Sequence, residues 1–248
     1  PPDRSLSLSA IIASEVDAAA ERTYGEAADQ PKFFVNRIYE VVRPQKKPVY
    51  EFVKRAADIV FSMIFLVLLS PVFAAAAIAI KREDGGPAIY KQKRMTKDGR
   101  IFTMYKFRSM YLHAEEYLEE LQKFNQIKDG PAFKMDNDPR ITKVGSFIRR
   151  TSIDELPQLF NILKGEMTFV GPRPPLVSEV EKYNSYQRQR LGVKQGLTCF
   201  WQCGGRNNIG FEEWVALDLK YIKTRGIWTD IKILLKTVSA VLRMDGAC

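Results

Sequence analysis

From Ile59 to Ile80 the chain reads IVFSMIFLVLLSPVFAAAAIAI, with no charged position. A straight helix of that length would measure roughly 33 Å, against a hydrocarbon core of about 30 Å. Core helices of globular proteins usually keep a polar face, which this run lacks. The pattern predicts a membrane helix over about 56–81. Ser70-Pro71 interrupts it midway: the proline removes one backbone donor and crowds the carbonyl of Val67, and the neighbouring hydroxyl can satisfy what is released. Basic residues flank the run on both sides, with Lys46, Lys47, Lys54 and Arg55 before it and Lys81, Arg82, Lys91, Lys93 and Arg94 after it. The positive-inside rule places both ends in the cytoplasm. A re-entrant, non-spanning hairpin bent at Ser70 and Pro71 is the favoured reading, with a kinked crossing helix as the alternative.

Elsewhere the periodicities are shorter. Residues 1–50 read as a separate lead-in, with a small-residue helical stretch from Leu8 to Ala28 and then prolines at 31, 44 and 48. The segments GGPAIYKQKRM and IFTMYKFRSM flank TKDGR, whose Asp98-Gly99 marks a hairpin between two basic strands. Met110, Ala114, Tyr117, Leu121 and Phe124 then recur at helical spacing, which predicts a helix over about 109–124. Pro157 belongs in a helix's first turn, so a helix is expected from near Asp154 to about Leu163. FEEWVALDLKYIK and TDIKILLKTVSAVLRM both space apolar residues three and four apart. Each fits a core helix or an amphipathic one at a membrane surface. The whole reads as a mainly helical α/β unit.

Composition narrows the chemistry more than the fold. The chain has 248 residues, 46% of them hydrophobic, with net charge +9 and pI near 9.4. It can bury a core, and it suits polyanionic partners: nucleic acid, anionic lipid or a phosphorylated substrate. No helix-turn-helix or zinc-finger pattern favours nucleic acid. Neither G-x-x-x-x-G-K-[ST] nor a strand-borne G-x-G-x-x-G is present, which disfavours kinase-like cradling of ATP. Cys199, Cys203 and Cys248 make no disulfide framework, and His113 is the only histidine, so neither zinc nor a histidine-activated nucleophile is expected. The opening PPDRSLSLSA carries no signal-peptide pattern. Catalytic groups should be carboxylates and cations.

TSIDELPQ, residues 151–158, supplies the carboxylates. Ser152 with Glu155 three residues on matches a capping box, and the positive end of a helix favours acids. The same end can also hold a phosphate, with cations beside it. Arg149 and Arg150 lie just upstream, Arg173 stands in GPRPP, and Arg206 in CGGRNN. Arginine forks match phosphate oxygens bidentately, and Gly or Pro surroundings fix the backbone that presents them.

The apolar run with Ser70-Pro71, YKFRSM, RRTSIDELPQ, GEMTFVGPRPP, GGRNN and TDIKILLKT occur in one order, and together they resemble the bacterial sugar transferase family, the monotopic phosphoglycosyl transferases. The likeness covers about residues 50–248, which reads as a catalytic domain over 51–248. Residues 1–50 are similar to the linker of longer members, which carry additional N-terminal membrane helices and a soluble domain. The resemblance implies transfer of a sugar 1-phosphate from a UDP-sugar to polyprenyl (undecaprenyl) phosphate, releasing UMP and initiating exopolysaccharide or capsule assembly. Asp154 then corresponds to the nucleophile that forms a covalent phosphosugar intermediate, with Glu155 beside it, and Mg2+ is required, with Asp154 as its protein ligand. Carboxylates can act as nucleophiles at phosphorus, and Mg2+ suits one or two carboxylates plus phosphate oxygens. By the same resemblance Arg149 and Arg206 contact phosphate or nucleotide, Asp230 is an acid near metal or substrate, and Lys106, Arg108 and Arg173 support the site. Anionic lipids of the bacterial inner membrane, with the active site on the cytoplasmic face, complete the expected partners. A homo-oligomer is left open. The competing classes are a non-catalytic scaffold of polysaccharide assembly, in which the acids only cap a helix, and a hydrolase of lipid-linked phosphates.

Overall fold

The computed structural model describes residues 41–127, 129–135, 137–203 and 209–243. The expected helical stretch from Leu8 to Ala28 lies outside them. The apolar run is divided between α1 (Pro48–Leu68) and α2 (Ser70–Asp84), bent against each other by 61°. The bend follows from the sequence at its centre: Pro71 cannot donate, and Ser70 Oγ donates to the Val67 carbonyl at 2.8 Å. Among the described residues no single helix is long and apolar enough to cross a membrane; the bent pair passes that test only together. Phe61, Ile64, Val67, Leu68 and Ile78 stand exposed along it.

The expected hairpin forms. β1 (Ile89–Met95) and β2 (Ile101–Phe107) pair antiparallel from Ile89 opposite Phe107 to Met95 opposite Ile101. The turn uses left-handed backbone at Asp98 (φ 58°) and Gly99 (φ 72°). The expected helix over 109–124 does not form. Tyr111 N donates to the Arg140 carbonyl, Met110 bridges Ile141, and His113 takes a φ of 62°, which a right-handed helix excludes. Only α3 (Leu118–Leu121) and a following 3₁₀ turn, Gln122–Phe124, remain of it.

α4 (Lys143–Arg150) is capped by Thr142, whose side chain accepts from Gly145 N. Beyond it comes a 3₁₀ turn, Ile153–Glu155, and only then α5 (Gln158–Lys164), with Pro157 as its N-cap. The helix therefore starts later than the sequence suggests. β3 (Thr168–Val170), α6 (Val177–Glu181), α7 (Ser185–Arg188), β4 (Gly196–Thr198), α8 (Phe200–Cys203), α9 (Phe211–Thr224) and α10 (Ile227–Arg243) complete the order. β3 and β4 pair in parallel, Thr168 opposite Gly196 and Val170 opposite Thr198. Glycine is required there: a Cβ on Gly196 would come within 2.1 Å of Gly171 N.

Burial explains how these pieces hold the 3₁₀ turn. Ile153 and Leu156 pack on a cluster built from Ala76 and Ile80 of α2, Phe107 of β2 and Ile148 of α4. One turn later, Leu159 and Ile162 join Phe102, Met104 and Met167 in a second cluster. The turn bearing the two carboxylates is thus clamped between hairpin, strand pair and α5. α9 is a core helix, burying Val215, Leu219 and Ile222. α10 buries Ile233 but exposes Trp228, Leu235 and Val238, an apolar face directed away from the protein.

Candidate functional site

Asp154 is 8% exposed, and Glu155 follows it on the same 3₁₀ turn. The capping box is absent. Ser152 lies in the left-handed region (φ 57°) and offers no side-chain cap, a conformation costing on the order of 1–3 kcal/mol for a non-glycine residue. Lys106, projecting from β2, donates to Glu155 Oε1 at 3.0 Å and lies 3.8 Å from Asp154 Oδ2. Arg173 Nη1 approaches Glu155 Oε1 to 3.9 Å. Asp154 itself accepts no hydrogen bond among the described residues, although 12% of its side chain remains accessible. Burial raises its carboxyl above the ordinary value; Lys106 pulls it back, Glu155 pushes it further up, and Arg149 and Arg173 lower it. A buried carboxylate that accepts no hydrogen bond among the described residues and is surrounded by three cations marks a candidate functional site.

Arg173 is set by a scaffold that sequence reasoning missed. Its guanidinium lies 6.0 Å from the ring of Trp201, and its carbonyl accepts from Arg190. Arg190 is buried, pairs with buried Asp218 on α9 and donates to the Tyr183 hydroxyl at 2.9 Å. On the other side, buried Arg94 donates to the Pro174 carbonyl at 3.0 Å, and Met95 N to that of Pro175. The Pro-rich loop is thereby stitched to β1, to the turn that holds Arg190 and, through Asp218, to α9. No spacing signal joins Arg94, Arg190 and Asp218, because their meeting depends on how distant segments pack.

The remaining expected residues divide. Arg149 acts on Asp154 through its charge, from the last turn of α4. Arg108 is engaged elsewhere: both its terminal nitrogens pair with Asp84 at the end of α2, and its Nε donates to the Pro87 carbonyl at 2.7 Å. It ties the end of α2 to the residue that follows β2, and among the described residues it makes no bond to the dyad, because Asp84 and the Pro87 carbonyl already occupy its guanidinium. Asp230 likewise bonds to Lys54, to Tyr50 at 2.9 Å and to Tyr221 at 2.9 Å, locking α10 onto α1. Arg206 lies outside the described residues. Cys199 is buried, with burial pushing its thiol well up, and Cys203 bonds to the Phe200 carbonyl.

Among the described residues no group of three or more His, Cys, Asp or Glu side chains is gathered to hold a metal. Two adjacent carboxylates, one with no hydrogen bond, nevertheless fit Mg2+, which binds through one or two carboxylates and completes its shell with water and substrate phosphate.

The bacterial sugar transferase family model matches residues 49–244. Over 195 residues the chain is 52% identical to the galactosyl transferase CpsE of Streptococcus agalactiae, covering 78% of this chain and 43% of that protein. It is 47% identical over 202 residues to the undecaprenyl-phosphate galactose phosphotransferase of Salmonella typhimurium, covering 79% and 42%. Against the exopolysaccharide production protein ExoY of Rhizobium meliloti the identity is 38% over 204 residues, covering 81% and 90%. The chain thus spans less than half the length of the first two relatives and nearly all of the third. With the family pattern running from the first turn of α1 to the end of α10, the chain belongs to the bacterial sugar transferase family.

Proposed function

We propose that the protein transfers a sugar 1-phosphate from a UDP-sugar to polyprenyl phosphate, at the cytoplasmic face of a bacterial inner membrane, through a covalent aspartyl-phosphosugar intermediate. The observation that carries this reading is Asp154: buried, with 12% of its side chain accessible, accepting no hydrogen bond among the described residues, and beside Lys106. One of its oxygens attacks the sugar-linked phosphorus, the bond from that phosphorus to the UMP oxygen breaks, and UMP leaves as a phosphate that needs no proton. A phosphate oxygen of the polyprenyl acceptor then attacks the same phosphorus and returns Asp154 as a carboxylate. Lys106 and Arg173 carry positive charge to where phosphate oxygens gather, while Glu155 positions Lys106 through their hydrogen bond. Mg2+, held by Asp154 with Glu155 adjacent, would neutralise phosphate charge when bound. The bent pair α1–α2, re-entering one leaflet, holds this chemistry at headgroup level, and the exposed apolar face of α10 lies on the same interface.

The test is intact-protein mass spectrometry of detergent-solubilised protein incubated with Mg2+ and a panel of UDP-sugars in the absence of acceptor. The expected result is a sugar-phosphate adduct that is absent in Asp154→Asn, together with a loss of turnover of at least roughly a thousandfold. UMP release without an adduct at any time would replace the covalent route by direct transfer. Product formed with water but no acceptor would indicate a hydrolase, and no UMP release with any donor would indicate a scaffold.

A further inference from the structure

A cavity of about 1030 Å³ lies against the first turns of α1, bounded there by Tyr50, Lys54 and Asp58, and across from them by Lys97, Arg100 and Lys194. Its wall includes none of Lys106, Asp154, Glu155 or Arg173, so it is separate from the site already described. Lysines and arginines outnumber the three carboxylates that line it, Glu51, Asp58 and Asp98.

Two of those carboxylates are already engaged. Glu51 pairs with Arg225 at 2.9 Å. Asp58 is buried and accepts from Thr168 Oγ1 and Phe169 N, each at 3.1 Å. Asp98 is exposed at the tip of the β1–β2 hairpin. The cations opposite are not matched. Arg55 donates to the carbonyls of Ile162 and Leu163, in the last turn of α5, at 2.7 and 2.8 Å, and forms no ion pair among the described residues. Lys97, Arg100 and Lys194 form no ion pair among the described residues. Burial holds the Lys194 ammonium below its ordinary value, and the charges of Arg55, Arg100 and Lys97 lower it further, against the pull of Asp58. Lys97, Arg100 and Lys194 thus line one concave surface with Arg55 beside them, where like charges are costly unless an anion lies between them.

We infer that this cavity binds a phosphate-bearing anion, a phosphate ester or a diphosphate, through Lys97, Arg100 and Lys194. Lysine supplies a point charge and arginine a bidentate fork, the combination suited to phosphate oxygens. Two sources share that chemistry. One is a lipid headgroup, because α1 becomes apolar at Ile59, directly after Asp58. The other is a phosphate free in solution. The inference stands whether or not the protein proves to be a transferase, since no residue of the dyad contributes to it.

The 248-residue chain in detergent should be titrated calorimetrically with inorganic pyrophosphate and, in mixed micelles, with phosphatidic acid. Wild type, a control Lys123→Met at an exposed lysine outside both sites, and the triple variant Lys97→Gln/Arg100→Gln/Lys194→Gln are compared. Tenfold or greater weakening in the triple variant, with Lys123→Met unaffected, is expected for at least one ligand. Weakening for pyrophosphate alone assigns a soluble phosphate, and weakening for phosphatidic acid alone assigns a headgroup. Weakening for both assigns a site that accepts either. Equal affinity of wild type and triple variant for both ligands overturns the inference, as does a loss that Lys123→Met reproduces. Should the triple variant melt early, Lys194→Met carries the same comparison.

Discussion

The ammonium of Lys106 donates to Glu155 Oε1 at 3.0 Å and stops 3.8 Å from Asp154 Oδ2. One cation therefore serves two acids unequally: Glu155 holds it, and Asp154 feels its charge without giving up an oxygen to it. In the proposed mechanism this difference makes Glu155 the positioning carboxylate and Asp154 the reacting one.

Removing Glu155 is therefore expected to impair catalysis by releasing Lys106 rather than by removing the nucleophile. Glu155→Gln keeps an acceptor for Lys106 and is expected to retain more turnover than Glu155→Ala. Lys106→Met should lose roughly a hundredfold in kcat, the scale of losing one preorganised electrostatic contact. Steady-state UMP release checks the ranking; equal activity of Glu155→Gln and Glu155→Ala would contradict it.

The Arg190–Asp218 pair lies under the loop that carries Arg173 and is almost wholly enclosed, at 3% and 1% side-chain exposure. Asp218→Ala leaves a buried guanidinium unpaired and is expected to cost about 3–5 kcal/mol. Chemical denaturation would register this as a lower midpoint. A change under about 0.5 kcal/mol, the range of ordinary surface substitutions, would show that the pair is dispensable.

Asp218 also predicts a pH signature. Burial pushes its carboxyl up to about 6 from an ordinary 3.8, against the pull of Arg190. The folded state then binds the proton more tightly than the unfolded chain, so stability from this group is fullest below pH 3.8 and declines as pH rises to about 6. Asp218→Asn cannot titrate, and its unfolding free energy should vary less with pH across that window than wild type's.

Where α1 meets α2, the 61° bend rests on Pro71 and the Ser70 hydroxyl. Single cysteines introduced at Lys46 and Lys91 should both be labelled by an impermeant reagent from the same face of sealed vesicles. Adding Ser70→Ala/Pro71→Leu restores the missing donor and favours a straight helix, which would move the two labels to opposite faces. Opposite-face labelling in the unmodified hairpin would overturn the re-entrant reading.

At the crossing of β3 and β4, a methyl group on Gly196 would meet backbone, with Gly171 N at 2.1 Å and its Cα at 2.7 Å. Neither atom can rotate away. Gly196→Ala is expected to cost about 1–3 kcal/mol, seen as a fall in the thermal midpoint.

Local patterns were legible from the sequence because their causes are local. The uncharged run, the serine and proline at its centre, the Asp98-Gly99 turn and the apolar spacing of α9 and α10 each depend on neighbours a few residues away. The sequence also brought forward Asp154, Glu155, Lys106 and Arg173 as site candidates, by their order in motifs. Where a distant partner intervened, local reasoning failed. The spacing from Met110 to Phe124 is helical, yet Arg140 and Ile141 pair with that segment and His113 breaks it. Ser152 and Glu155 have capping-box spacing, yet a left-handed Ser152 and the pull of Lys106 give the acids another geometry. Only the packed chain could decide that Arg108 faces Asp84, that Arg190 and Asp218 brace Arg173, and that Lys97, Arg100 and Lys194 surround one cavity. Those meetings depend on burial and charge between residues far apart in the chain, where periodicity carries no information.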